Sequence, residues 1–245
     1  MSTLAFLVGG LGTRLRSVVR DVPKPMALVD GLPFLEHILR EWIGTDLAPE
    51  QLIFSVGYKE HVIKDYFGES FYDIPILYLS EKTPLGTGGA IKGIARATTT
   101  DELIVVNGDT WFLPPASWPR AHRSQKVIEI LLKKVGDPDR YGVIELDAAS
   151  RIKSIETKYN SGSGLVNGGV YWFNKGLISE LAKSSKDCKE SFEEDTLPAL
   201  IRSGSIDVYG YIGSNDFLDI GVPEDYQRAA SFLAKQRISY DRGVH

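Results

Sequence analysis

A chain of 245 residues, 43% of them hydrophobic, buries roughly three quarters of its unfolded surface and needs no metal or disulfide to hold its fold. Its 28 basic and 32 acidic residues leave a formal net charge of −4, with no run of five or more Lys or Arg. Nucleic acid or an anionic membrane is therefore excluded as the main partner, while small phosphorylated ligands stay open. The lone Cys188 rules out an internal disulfide, and the opening apolar run is too short for a signal peptide or a membrane span, so the expected location is the cytoplasm.

In chain order, "TLAFLV" (Thr3 to Val8) reads as a strand that runs straight into a bare turn, Gly9, Gly10, Leu11 and Gly12, followed by Thr13 and Arg14. Backbone N–H groups approach an anion closely only where no Cβ intervenes, so the turn suits a phosphate. Lys24 follows between Pro23 and Pro25. A helix is expected from Pro33 to Trp42, where Phe34, Leu35, Ile38, Leu39 and Trp42 fall on one stripe and Gly44 can end it. "QLIFSVG", "IPILYLS", "ELIVVNGD" and "VIEILLKKV" read as strands covered on both faces, with helices at Glu60 to Phe67 and Gly88 to Ala97 between them. This alternation predicts an α/β fold: a doubly wound, mostly parallel, Rossmann-like sheet over residues 1–135, with right-handed crossovers.

Residues 136–245 are more strand-rich, with "YGVIEL", "IKSIET" and "LVNGGVYWF", then helices at Gly176 to Lys183 and Phe192 to Arg202. A last helix runs from Pro223 to about Arg237, with Pro223, Glu224 and Asp225 in its first turn. No linker or repeat divides the chain, so a single domain is expected over 1–245. "NSGSG" at Asn160 to Gly164 reads as a mobile loop over a site.

The glycine turn fits neither of two familiar phosphate binders. A P-loop needs a lysine and a hydroxyl directly after its second glycine, and a dinucleotide turn needs a third glycine where Leu15 stands. Asp109 ends "ELIVVNGD", at the carboxyl edge of a central strand where open α/β sheets bind ligands, and capping of the following turn is the alternative use of such an aspartate. Asp219 lies among apolar residues in "FLDIGV", and a carboxylate buried without a partner is costly. "PLGTGGAI" at Pro84 to Ile91 is a glycine turn into a helix. Glu194 and Asp195 read as an exposed first-turn acid pair, with a supporting role at a site as the alternative.

Together, "GGLGTRL" at Gly9 to Leu15, "PKP" at Pro23 to Pro25, "PLGTGGAI", "NGD" at Asn107 to Asp109, "LVNGGVYWF" and "FLDIGVPEDY" span nearly the whole chain. In this order they resemble the sugar-1-phosphate nucleotidyltransferases. The resemblance implies transfer of a nucleoside monophosphate to a sugar 1-phosphate, with pyrophosphate leaving and Mg2+ held by Asp109 and Asp219. It also implies a nucleotide cradle of Gly9, Gly10, Gly12, Thr13, Arg14, Lys24, Gly86, Thr87, Gly88 and Asn107, and sugar-phosphate contacts at Gly142, Thr157, Lys158 and Asn167. Arg14 is assigned to the β and γ phosphates and Lys24 to the attacked α-phosphate, since cations are needed to bring two anions together. The wording of "GGLGTRLRSVV", "DVPKPM" and "DIGVPEDY" is nearest to the branch that uses GTP and a manno-configured heptose 1-phosphate. Hexose or amino-sugar phosphates with dTTP, UTP or CTP are the alternatives within the family. A noncatalytic nucleotide-binding subunit and a dinucleotide-dependent oxidoreductase are the alternatives outside it. The number of subunits stays open, a dimer being one option.

The chain departs from the family pattern at three places. Thr157-Lys158 stands where many relatives have Glu-Lys, and on a strand that one-residue shift of the acid to Glu156 reverses its face. Val8 replaces an alanine and Val222 a threonine, both read as packing changes.

Overall fold

The computed structural model describes residues 2–47, 49–119, 125–138, 141–156, 162–184 and 189–243. The first half runs β1 (Ser2–Leu7), β2 (Leu28–Val29), β3 (Leu32–Pro33), α1 (Phe34–Ile43), β4 (Gln51–Val56), α2 (Glu60–Phe67), β5 (Ser70–Phe71), β6 (Ile74–Ser80), α3 (Gly86–Ala97), β7 (Glu102–Asn107), β8 (Thr110–Phe112) and β9 (Val127–Val135). The second runs β10 (Val143–Leu146), β11 (Ile152–Glu156), β12 (Gly164–Asn174), α4 (Lys175–Ala182), α5 (Leu197–Ser203), β13 (Asp207–Ile212), β14 (Phe217–Asp219) and α6 (Pro223–Gly243).

β1 sits at the centre, parallel to β7 on one side and to β4 on the other, and β6 extends the sheet beyond β4. Successive residues on such a strand face opposite layers. Leu4, Phe6, Leu52 and Phe54 join α1, α2 and α6 in one core, while Ala5, Ile53, Leu103 and Val105 meet α3, α4 and α5 in the other. Helices therefore cover both faces, which makes this the doubly wound α/β sheet expected. Phe54 packs edge-on against Phe6, Phe67 and Tyr78 at ring separations of 5.7, 5.4 and 5.7 Å. Phe6 and Phe54, both wholly buried, contribute about 1.5–3 kcal/mol each.

The structure corrects several expectations. β9, read as one of the parallel series, pairs antiparallel with β12 and parallel with β13. β12 in turn lies antiparallel against β7. The second half is thus added to the same sheet through β12, because chain direction is carried by long-range pairing that an apolar run does not encode. β6 is not covered on both faces; its residues are half-buried or exposed, with Leu77 38% accessible, since only the two-residue β5 lies outside it. The helix expected over Phe192 to Arg202 is broken into a widened π-type turn at Phe192–Thr196 followed by α5. Pro198 stands in the first turn of α5, lacks an N–H and crowds the carbonyl four residues back, and the preceding turn opens. β13 and the β8–β14 ribbon were not anticipated, and α6 extends to Gly243. Among the described residues, no helix is long and apolar enough to cross a membrane.

Candidate active site

β1 and β7 end side by side, Leu7 opposite Asn107, so the glycine turn after one and Gly108-Asp109 after the other emerge together. The Gly108 N–H donates to the Leu7 carbonyl at 3.1 Å, and a Cβ on Gly108 would collide with the Val8 side chain. Gly12 has a left-handed backbone (φ +57°) and opens a single 3-10 turn, Thr13–Leu15. Buried Leu15 anchors that turn while Arg14 stays exposed. A Cβ on Gly12 would lie 2.9 Å from the Lys24 Cβ, so glycine is what lets the Lys24 stem pass beneath the turn.

Lys24 begins a second 3-10 turn, Lys24–Met26, pinned by buried Pro25 and Met26. Its Nζ reaches Asp109 Oδ2 at 2.5 Å and Asp219 Oδ1 at 3.7 Å, and its side chain is only 10% exposed. Asp219 is brought to Asp109 by the β8–β14 ribbon, in which it faces Thr110, and the Gly221 N–H donates to its Oδ1 at 2.7 Å. Burial first, then the charge of Asp109, holds the Asp219 carboxyl above the usual range, against the opposing pull of Lys24, the Gly221 N–H and Arg14. Two carboxylates are thus crowded around one ammonium. Their all-oxygen donor set, with one ammonium against two carboxylates, fits a hard divalent cation. Among the described residues no group of three or more His, Cys, Asp or Glu is placed to hold a metal, so such an ion would complete its shell with water and substrate oxygens.

Three voids meet at this cluster. One of about 220 Å³ is lined by Gly10, Gly12, Thr13, Arg14, Lys24 and Asp109. A second, about 240 Å³, is a cleft lined by Gly9, Gly10, Ser55, Glu81, Gly86, Thr87, Asn107 and Asp109. The largest, about 580 Å³, lies on the strand-rich side and is bounded by Arg14, Asn107, Gly142, Asn167, Tyr171, Glu193 and Asp219. Asn107 belongs to both the cleft and the large cavity, and its buried Oδ1 has no hydrogen-bond partner among the described residues.

The expected site residues are therefore brought together with one exception among those described. Gly88 is buried away from the cleft; its N–H donates to the Glu190 carbonyl at 2.8 Å and a Cβ there would lie 2.8 Å from Thr196 Oγ1. It is glycine because another segment packs on it, not to face a base. Thr87 lines the cleft, but its hydroxyl donates to Glu193 Oε2 at 2.6 Å and accepts from the Phe192 N–H at 2.8 Å. Thr157, Lys158, and Asn160 and Ser161 of "NSGSG", lie outside the described residues.

The sequence pattern passed over Glu193, which borders the large cavity and also accepts from the Tyr171 hydroxyl at 2.7 Å. No local signal marks it within "SFEEDTLPAL", where three acids in a row suggest only a helix start. Of its neighbours, Asp195 accepts from the Ser191 N–H at 2.9 Å, closing the turn, and exposed Glu194 stands on the cavity rim. Tyr171 is fully buried, and burial, then the Glu193 charge and hydrogen bond, push its hydroxyl well above its ordinary pKa, so it stays protonated and donates.

The family model for nucleotidyl transferase matches residues 5–236. The chain is 41% identical over 229 residues to a D-glycero-alpha-D-manno-heptose 1-phosphate guanylyltransferase of Aneurinibacillus thermoaerophilus, covering 93% of this chain and 96% of the relative. It is also 41% identical over 221 residues to the protein of the same name from Campylobacter jejuni, covering 90% and 95%. A crystal structure of HddC from Yersinia pseudotuberculosis complexed with GMP-PN superimposes with a TM-score of 0.76 at 32% identity, over 95% of this chain and 100% of that one.

Proposed function

This chain belongs to the nucleotidyl transferase family, and from that premise we propose how its residues divide the work of a sugar-1-phosphate guanylyltransferase. The chain transfers GMP from GTP to D-glycero-α-D-manno-heptose 1-phosphate, giving GDP-heptose and pyrophosphate. The observation that carries the assignment of roles is the meeting of Lys24 with Asp109 and Asp219 at the junction of the three voids.

A phosphate oxygen of the sugar 1-phosphate must approach the α-phosphorus of the triphosphate in line with departing pyrophosphate. Two anions have to be held close, and their repulsion is the barrier the site must lower. The small void by the glycine turn takes the triphosphate: its backbone approaches without Cβ atoms, and Arg14 forks onto the β and γ phosphates. The cleft walled by Gly10, Gly86 and Thr87 takes the base and ribose, and the large cavity with Gly142 and Asn167 takes the sugar phosphate. Lys24 offsets charge at the α-phosphate, where it counts most as the bond breaks. Asp109 and Asp219 are the residues that would hold a divalent ion, Mg2+ in this proposal, which when bound supplies charge stabilisation to the phosphoryl oxygens. Thr157 and Lys158 are proposed to meet the sugar phosphate. One domain, with residues 1–135 serving the nucleotide and 136–245 the sugar phosphate, and a cytoplasmic location complete the proposal.

A grid of four nucleoside triphosphates against several sugar 1-phosphates, scored by pyrophosphate release, tests the substrate pair. GTP with the heptose phosphate should be fastest and GTP with mannose 1-phosphate next. A site shaped for guanine leaves polar groups unpaired when a pyrimidine enters, so dTTP and UTP should trail by about 10- to 1000-fold. Equal turnover of dTTP with glucose 1-phosphate would remove the guanylyl assignment.

A further inference from the structure

We propose that Glu193 is a positioning residue that couples the nucleotide cleft to the sugar-phosphate cavity, a role that rests on the nucleotidyl-transfer function proposed above. Its carboxylate stands between two walls built from distant parts of the chain. Thr87, on the first turn of α3, donates to Oε2 at 2.6 Å from the cleft side. Tyr171, on β12, donates to Oε1 at 2.7 Å from the cavity side.

The direction of every proton in this network follows from two backbone N–H groups. The Gly169 N–H donates to Asn167 Oδ1 at 2.9 Å, which turns the amide so that Nδ2 donates to the Tyr171 oxygen at 2.7 Å. Tyr171, having accepted, must donate onward to Glu193. On the other side the Phe192 N–H donates to Thr87 Oγ1, so Thr87 likewise donates to Glu193. The Ser191 hydroxyl adds a third bond to Oε2 at 3.3 Å. Glu193 is thus a terminal acceptor on which bonds converge from both walls. An ionised carboxylate satisfies all of them, whereas an amide would set its own donor against a hydroxyl that is already committed to donating.

The same network reaches the reacting centre. The Asn167–Gly169 bond fixes a bend in β12 where its pairing with β9 shifts register, and Gly169 adopts φ +70° there. A Cβ at Gly169 would lie 2.6 Å from Asn107 Nδ2, so the bend packs onto the side chain shared by cleft and cavity. A displacement of Tyr171 is carried through Asn167 and Gly169 to Asn107, and through Glu193 to Thr87. Packed and hydrogen-bonded groups of this kind transmit a shift because none can move alone.

The test is a double-mutant cycle on Thr87→Val and Tyr171→Phe, each nearly isosteric and each removing one donor to Glu193, with Glu193→Gln alongside. Steady-state kinetics are measured with GTP and mannose 1-phosphate, and thermal unfolding is followed so that all assays run on folded protein. Thr87→Val, though it lies in the nucleotide cleft, should raise KM for the sugar phosphate by about tenfold, and Tyr171→Phe and Glu193→Gln should do the same. The double variant should lose no more than about twofold beyond the worse single, because both changes cut one network. Losses that multiply to about a hundredfold, or a Thr87→Val effect confined to KM for GTP, would overturn the coupling. A lowered unfolding temperature with unchanged KM values would reduce Glu193 to a structural brace. Pyrophosphate release by the unaltered chain separates the two levels: none with any substrate pair removes the function and the coupling with it, whereas release with additive variants removes only the coupling.

Discussion

The two proposed substrate regions are made of different material. The proposed triphosphate pocket and cleft owe part of their walls to bare backbone: Gly9, Gly10, Gly12 and Gly86 line them, with φ values of +57° at Gly12 and +71° at Gly86. The cavity proposed for the sugar phosphate is walled by side chains, Asn167, Tyr171 and Glu193 among them, and their orientation depends on bonds between residues as far apart as Thr87 and Glu193. A site of bare backbone can be written in a few consecutive letters, since what matters is the absence of Cβ atoms at one turn. A site of oriented side chains needs partners that only the finished fold supplies.

The sharpest challenge to this contrast falls where the two regions meet. Asp109→Asn and Asp219→Asn keep the shape of the junction and remove one charge each. Turnover should fall at least ~100-fold in both, with unfolding temperature retained and Mn2+ binding, read by electron paramagnetic resonance, weakened in parallel. Full activity of Asp109→Asn at ordinary magnesium would show that the junction is not where the ion sits.

Next come the glycines, which should separate by geometry. Gly86→Ala meets the Glu190 carbonyl in a left-handed backbone and should cost about 2–4 kcal/mol of stability in a denaturant titration. Gly10→Ala points into open space; it should change stability by less than about 0.5 kcal/mol yet raise KM for GTP. Equal stability losses would mean that backbone strain does not shape the cleft. Of the two cations, Lys24→Met should lower kcat by about tenfold or more with little change in KM for GTP, and Arg14→Ala should do the reverse. A purely KM effect in Lys24→Met would make that lysine a ground-state anchor.

The smallest expected effect concerns how the second half is tied to α3. Burial tends to raise the Glu190 carboxyl, but hydrogen bonds from Lys92 and Thr196, with the charge of Lys92, outweigh it and hold the group below its ordinary 4.5. A depressed acid stabilises the fold above its unfolded pKa, and that contribution is lost as pH falls through the folded value. Thermal midpoints measured from pH 6 down to pH 3 should therefore fall more steeply for the natural chain than for Glu190→Gln. Parallel curves would place the tie elsewhere.

How much was legible follows the same division. The first half of the fold was readable because β1, β4 and β7 are short apolar runs punctuated by glycine and separated by amphipathic helices such as α1. Arg14, Lys24 and Asp109 could be singled out because each follows such a punctuation mark. Glu193 was not, since its meaning depends on Tyr171 and Thr87 converging on it. Gly88 was placed in the cleft because its motif is a glycine turn, yet its bareness serves Glu190 and Thr196. The antiparallel return of β12 beside β7 was equally hidden, as chain direction leaves no mark on composition.

That return has a consequence for how the protein is made. β7 is complete once Asn107 has been synthesised, and β1 can pair with one of its edges at once. Its other edge waits for Val170–Asn174 of β12. At about 5–20 residues per second on the ribosome, the nascent chain carries an open, apolar strand edge for several seconds, in which a neighbouring nascent chain could add to it. Slowing translation between residues 107 and 170 should therefore lengthen the period in which the polypeptide depends on chaperones, with no change in the finished enzyme.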